Sequence, residues 1–273
     1  MFTQRRNRNM FEAALTTLAL IYHVTVYDLR KDHRNAVVGL LMTILQSSLF
    51  VVGFLGMYML IGVKHSPIRG DFIVFIMTGI FLFMTHSQTA GAVSRAGNAL
   101  DSMVKHGPMN TAVLICGASL AVLYRQTISI FVMLWAYHTL IAPIHIDDPL
   151  SCYGMLLLAW FYGICVGLIF LAVRMWWPPG GKVITTLYQR VNMIASGKMF
   201  VANTLPTFML HMFGWNPLFH LIDQTRGFAF INYAPRNTSL TYPVYVIIAV
   251  MMIGLMAEFV TRNAASLSWS AGR

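Results

Sequence analysis

Residues 150–173 read LSCYGMLLLAWFYGICVGLIFLAV, a run without one charged side chain. A helix needs about 20 predominantly apolar residues to cross the hydrocarbon of a bilayer, and this run is long enough. With no water to satisfy backbone N–H and C=O groups there, only helices or closed barrels can span. A barrel strand alternates apolar and polar positions over about ten residues. Residues 150–173 do not alternate, so the run reads as a membrane helix.

Five further long, predominantly apolar runs flank it: Ala36–Gly62, Phe72–Ala92, Thr111–Ile141, Val191–Phe213 and Tyr242–Thr261. The run from Thr111 is too long for a span alone, and its first turns, after Gly107-Pro108, project beyond the bilayer. The chain is 57% hydrophobic and only 10% charged, against roughly a quarter charged in soluble domains. The net charge of +10 does not indicate nucleic-acid binding, because the basic residues sit in short flanks between apolar runs. One set of flanks holds Arg5, Arg6, Arg8, Arg30, Lys31, Arg34, Arg95, Lys105, Arg174, Lys182, Arg190, Arg262 and Arg273; the other holds only Lys64, Arg69, Arg226 and Arg236. The positive-inside bias then predicts six spans with both termini in the cytoplasm. No short apolar core with a small-residue cleavage site follows Met1–Met10, so no removable signal peptide is expected.

Two segments fit neither span nor solvated loop. Between Phe11 and Arg34, Leu15, Leu18, Ile21, Tyr22 and Leu29 form one stripe while charges crowd the end. That pattern predicts an amphipathic helix lying in the cytoplasmic interface. Residues 214–241 mix Trp215, Asn216, Pro217, His220, Asp223, Arg226 and Asn232 with Phe219, Phe228 and Phe230. Polar backbone at membrane depth is tolerated only within protein or along a wet cavity, which predicts a re-entrant hairpin dipping in from the outer face.

The order and content of these segments resemble the ABC-2 type polysaccharide-export permeases. Trp215-Asn216-Pro217-Leu218-Phe219-His220, followed by Arg226, resembles that family's pattern before its last span. Val166-Gly167-Leu168-Ile169-Phe170 resembles its fourth span, and Thr78-Gly79-Ile80-Phe81 through Ser94 its second span and the segment beyond. Asp28-Leu29-Arg30 is similar to the end of its interfacial helix. The resemblance implies one all-α transmembrane domain over 1–273 in the inner membrane of a bacterium. It further implies a homodimer, a separate pair of ABC ATPase subunits binding ATP and Mg, and a polysaccharide cargo, with a periplasmic co-polymerase and an outer-membrane export protein as further partners. No cofactor and no enzymatic activity are expected of the chain itself. Pro179-Gly180-Gly181-Lys182 lacks the spacing and hydroxyl residue of a phosphate-binding P-loop.

Within residues 93–110, Arg95, Asn98, Asp101 and Lys105 are the candidate ATPase-coupling residues, implied by the position of the family's coupling helix. Asn216, Pro217, His220 and Arg226 carry the family pattern in the re-entrant region; Pro217 suits a helix start capped by Asn216. Arg125, Trp135, Tyr137, Trp160 and Tyr162 are candidate channel-lining residues. A membrane-centre Arg costs roughly 2.5–3.5 kcal/mol on insertion scales, so Arg125 must meet a partner such as Glu258, an interface or a wet cavity holding an anion. The aromatic residues suit either sugar faces or core packing. Cys116, Cys152 and Cys165 show no CxxC spacing, and His86, His138, His211 and His220 no i, i+4 pair with a carboxylate, so no metal site is expected. Two functions compete with capsular-type export: export of O-antigen or teichoic-acid-like glycan by the same fold, and an integral-membrane acyl- or glycosyltransferase built around Asp147-Asp148.

Overall fold

A computed structural model describes residues 10–30, 35–62, 67–96 and 111–270. All regular structure among them is helical: α1 (Met10–Arg30), α2 (Ala36–Leu60), α3 (Phe72–Ala96), α4 (Thr111–Leu140), α5 (Pro149–Trp176), α6 (Pro178–Ala195), α7 (Thr207–Phe213), α8 (Pro217–Ala229) and α9 (Thr241–Ser270), with a 3-10 turn at Ala202–Thr204. Six helices are long and apolar enough to cross a membrane, and the protein is an all-α integral-membrane fold. They are not quite the six of the sequence reading. The stretch Met10–Arg30 qualifies on length and composition, and Val191–Phe213 does not form one helix.

The centre is α3 against α5, and two glycines one helical turn apart explain how close they come. A Cβ on Gly163 would lie 2.7 Å from the carbonyl oxygen of His86, and one on Gly167 would lie 2.6 Å from Val93 Cβ. Between apolar helices in lipid no hydrophobic force remains to drive association, so small residues that let backbones approach supply the packing. Gly254 brings α9 onto α5 in the same way, 3.0 Å from Leu168 Cβ. Helix α4 packs on α3 and scarcely touches α5.

Arg174 Nη1 reaches the Ser94 carbonyl, Gly181 lies against Arg174, and Trp176 Nε1 donates to Thr261 on α9. The ends of α3, α5 and α9 and the start of α6 therefore share one end of the bundle, here the basic end. Helix α1 packs chiefly on α4, where Val24 lies against Gly117 in a cluster with Val113, Leu114 and Ala118. Its buried face carries Leu20, Ile21 and Val24, whereas Leu15, Leu18 and Tyr22 are exposed. Most of the predicted stripe thus faces away from the rest of the bundle.

The fifth predicted span is the principal correction. Helix α6 stops at Ala195, and Gly197 turns the chain at φ +72°, a conformation that side chains rarely adopt. The same glycine admits the Phe219 ring where a Cβ would sit 2.3 Å from it. Pro206 then precedes α7, so residues 207–213 belong to the hairpin rather than to a span. The hairpin consequently runs from Thr207 to Ala229, earlier than the 214–241 of the sequence reading. At its tip, Gly214-Trp215-Asn216, Asn216 is buried while Trp215 stays exposed, and α8 ends beside the start of α5, where Asp148 N donates to Phe228 O at 2.9 Å.

Asn216 closes the tip. Its Oδ1 accepts from Leu218 N at 3.0 Å as the cap of α8, and its Nδ2 donates to Asn192 Oδ1 at 2.6 Å and to Ala195 O at 3.0 Å. Losing a capping Asn costs about 0.5–2 kcal/mol, and here two buried acceptors are stranded as well. Asn216→Ala is expected to destabilise by about 2–3 kcal/mol, read as a lower melting temperature in detergent; an unchanged melt would refute the capping role.

Candidate functional site

Two linked features stand out within the helix bundle: a polar cavity opening near the basic end, and the buried ionic anchor of the hairpin beyond it.

One turn of α8 carries the anchor. Arg226 is 0% exposed, and its guanidinium donates to three backbone carbonyls of the chain reversal: Gly197 and Phe200 from Nη1 (3.1 and 2.7 Å) and Lys198 from Nη2 (2.8 Å). Its Cζ lies 4.2 Å from the centre of the Phe75 ring. A planar fork of donors suits a cluster of converging carbonyls, which a lysine could not serve. One turn earlier, Asp223 accepts from Ala202 N (3.3 Å), Tyr233 Oη (2.6 Å) and Thr238 Oγ1 (2.8 Å). Burial, and then the bond to Asp223, pushes the Tyr233 phenol well above the ordinary tyrosine range, so it remains a donor. Acid and base thus hold the two flanks of the hairpin from a single helix face. His220 completes the set: Ser239 N donates to its Nδ1 at 3.0 Å, so Nε2 must carry the proton given to Gly214 O at 2.7 Å. The four residues of the resemblance are therefore brought together as the hairpin's internal framework.

The cavity, about 570 Å³, lies between α2, α3, α4 and α6. Arg95 and Arg190 stand exposed at its rim, and Arg125 lies deeper on its wall. Gln46, Gln88 and Gln189 supply neutral donors and acceptors between them. Three guanidiniums and three amides around one space can bind phosphate or carboxylate by charge-assisted bonds. Of the two intramembrane fates considered for Arg125, the structure places it on the cavity; Glu258 is engaged by Arg262 at 2.8 Å on α9.

The cavity is closed at its inner end by Phe50 and Phe83. Behind these rings lies Lys198, 3% exposed, its Nζ 3.7 Å from the Phe83 centroid, 4.5 Å from Phe54 and 5.6 Å from Phe50. A buried ammonium without a counter-charge is costly by several kcal/mol, and cation–π contacts return about 0.5–2 kcal/mol each. Tyr58 donates to Met199 O beside it, so α2 is tied to the reversal at two points.

The remaining candidates lie elsewhere. Trp135 is exposed on the surface of α4. Tyr137 donates to Asp71 Oδ2, Trp160 Nε1 donates to Ser119 O at 2.9 Å, and Tyr162 stacks on His86 with centroids 4.5 Å apart. None of the four lines the polar cavity. Asn98, Asp101 and Lys105 lie outside the described residues. Sequence reasoning passed over Lys198 and the three glutamines, and named Asp223 in the re-entrant stretch without giving it a role. The glutamines carried a usable signal, since an amide within an apolar run needs a partner or water.

No protein-family model matches the chain. Among curated proteins it is 25% identical, over 266 residues, to the polysialic acid transport protein KpsM of Escherichia coli, covering 96% of this chain and 99% of that protein. A second Escherichia coli protein of the same name is 26% identical over 272 residues, with the same coverage. Likeness along the full length of both chains, together with a bundle of apolar helices long enough to cross a membrane, supports the resemblance of this multi-pass membrane protein to the ABC-2 type polysaccharide-export permeases.

Proposed function

We propose that the chain is the membrane half of an ATP-driven exporter that moves a capsular-type polysaccharide, acidic and lipid-linked, across the inner membrane. Two copies form the path, and a separate pair of ABC ATPases drives it. The basic end faces the cytoplasm on the positive-inside bias, so both termini lie there. The single observation that carries the reading is the cavity: a polar, cationic space at depth, reached from the basic end and lined by Arg95, Arg125 and Arg190. An anionic glycan or its phosphate-bearing head has complementary chemistry. The coupling role falls to the region after Arg95, at the end of α3, the most buried of the long apolar helices; a push there would reach the bundle centre as a rigid-body shift.

Arg125→Gln is expected to lower polysaccharide export at least tenfold while the protein melts at its ordinary temperature. Arg125→Lys keeps the charge without the fork and should be intermediate. Export is read as surface glycan in cells lacking the native gene, and wild-type export from the Gln variant would remove the cavity from the path. Deleting the partner ATPase tests the drive: glycan must then accumulate inside.

Export of O-antigen or a teichoic-acid-like glycan would use the same cavity, so the glycan that accumulates inside such cells separates these cargoes. The transferase reading gains nothing from Asp147-Asp148, because Asp148 caps α5, accepting from Ser151 N at 3.1 Å and from its hydroxyl.

A further inference from the structure

Lys198 contributes its carbonyl, not its ammonium, to the anchor of the hairpin. Its Nζ finds no hydrogen-bond acceptor among the described residues and rests instead against Phe83, Phe54 and Phe50. Two of these rings, Phe50 and Phe83, are also the wall of the cavity that holds Arg95, Arg125 and Arg190. Two aromatic side chains therefore stand between a cationic cavity and one further cation. An aromatic face accommodates an ammonium without neutralising it, so the demand for an anion is deferred rather than met. A purely apolar contact with the same rings would have been served by methionine or leucine.

We propose that Lys198 is a concealed phosphate-binding residue at the closed end of the cavity. When Phe83 and Phe50 turn aside, its ammonium exchanges their faces for the oxygens of a phosphate group that has passed the three arginines. The site is then a continuous cationic path from rim to reversal. Because the Lys198 carbonyl is bound by Arg226, the arriving anion would also load the turn that carries the hairpin. The proposal rests on the export reading for the origin of the phosphate, on a carried glycan or on a lipid headgroup, but not for the binding itself.

The test uses the full chain in phosphatidylcholine nanodiscs with inorganic pyrophosphate as the probe, followed by titration calorimetry. Wild type should bind weakly, through the arginines. Phe83→Leu, which removes the nearest ring, should bind at least ten times more tightly. Adding Lys198→Met should return affinity to the wild-type level, whereas adding Lys198→Arg should keep most of the gain. If Phe83→Leu does not purify folded, Phe50→Leu takes its place in the same series. No gain in the leucine variant, or a gain that survives Lys198→Met, overturns the proposal; a merely structural lysine predicts that second result. In phosphatidylglycerol discs, loss of the Lys198-dependent gain supports a lipid headgroup as the natural anion, and its persistence supports phosphate on the carried glycan. Binding needs no ATPase and no cargo, so a failure of the export experiments leaves this measurement standing.

Discussion

Arg226→Met is expected to lower the melting temperature in detergent by on the order of 10 °C, and to leave little protein in the membrane at 37 °C. The side chain is wholly buried and makes three hydrogen bonds to carbonyls of residues 197, 198 and 200. Methionine fills most of the volume but donates nothing. Each buried acceptor left unpaired costs about 1–3 kcal/mol, and removing one side of a buried ionic arrangement costs about 3–5 kcal/mol. Asp223 would also lose the favourable charge of Arg226 while still holding Ala202, Tyr233 and Thr238. Arg226→Lys should recover only part of the loss, because one ammonium cannot reach carbonyls spread across the reversal. A melting temperature within 2 °C of wild type for the Met variant would show that the reversal is held by something else.

The second large effect is expected on the α3–α5 contact. Gly167→Val places its first added atom 2.6 Å from Val93 Cβ and 3.1 Å from the Ala90 carbonyl oxygen. Both belong to the facing helix, whose backbone cannot give way without moving the bundle centre. Overpacking of this kind costs about 1–3 kcal/mol, occasionally more, and the upper end is expected here because Gly163 would be pulled from His86 at the same time. The control lies on the same helix: Gly154 has nothing within 4 Å, so Gly154→Ala should be neutral, or stabilising by the roughly 0.5–1 kcal/mol that glycine costs a helix. Equal losses at both positions would mean that helix propensity, not close approach, governs the contact.

These two positions mark how far the sequence could be read. The charge-free run at 150–173 and its neighbours announced the helices, because a bilayer leaves a chain few other ways to satisfy its backbone. Asn216, Pro217, His220 and Arg226 were visible as a cluster of polar residues too deep for a loop. Their work was not visible, since a guanidinium that will meet carbonyls twenty-odd residues away looks the same in sequence as one that will meet cargo. Arg125 illustrates the reverse case: its cost at depth left a partner, an interface or a wet cavity open, and it lines the polar cavity. The aromatic candidates show the limit of composition. Tyr162 and Trp160 suit a sugar face as well as a protein neighbour, and they have His86 and Ser119 as neighbours.

What the sequence determined by itself was the class of solvent and therefore the class of fold: apolar runs of bilayer length must be helices, and the distribution of basic flanks sets their expected direction. It also marked the residues between the last spans as something other than a span. Only the tertiary structure decided where the fifth run breaks. Residues 191–213 read as one predominantly apolar run, yet the chain turns at Gly197, because a positive φ and room for Phe219 are needed at one point and only glycine offers both. It likewise decided that Lys198, unremarkable beside Gly197 in sequence, lies behind two rings at the end of a cationic cavity. Hydrophobicity is a sum over residues and survives in the sequence; a cage or a reversal is a coincidence of distant surfaces, and exists only once they meet.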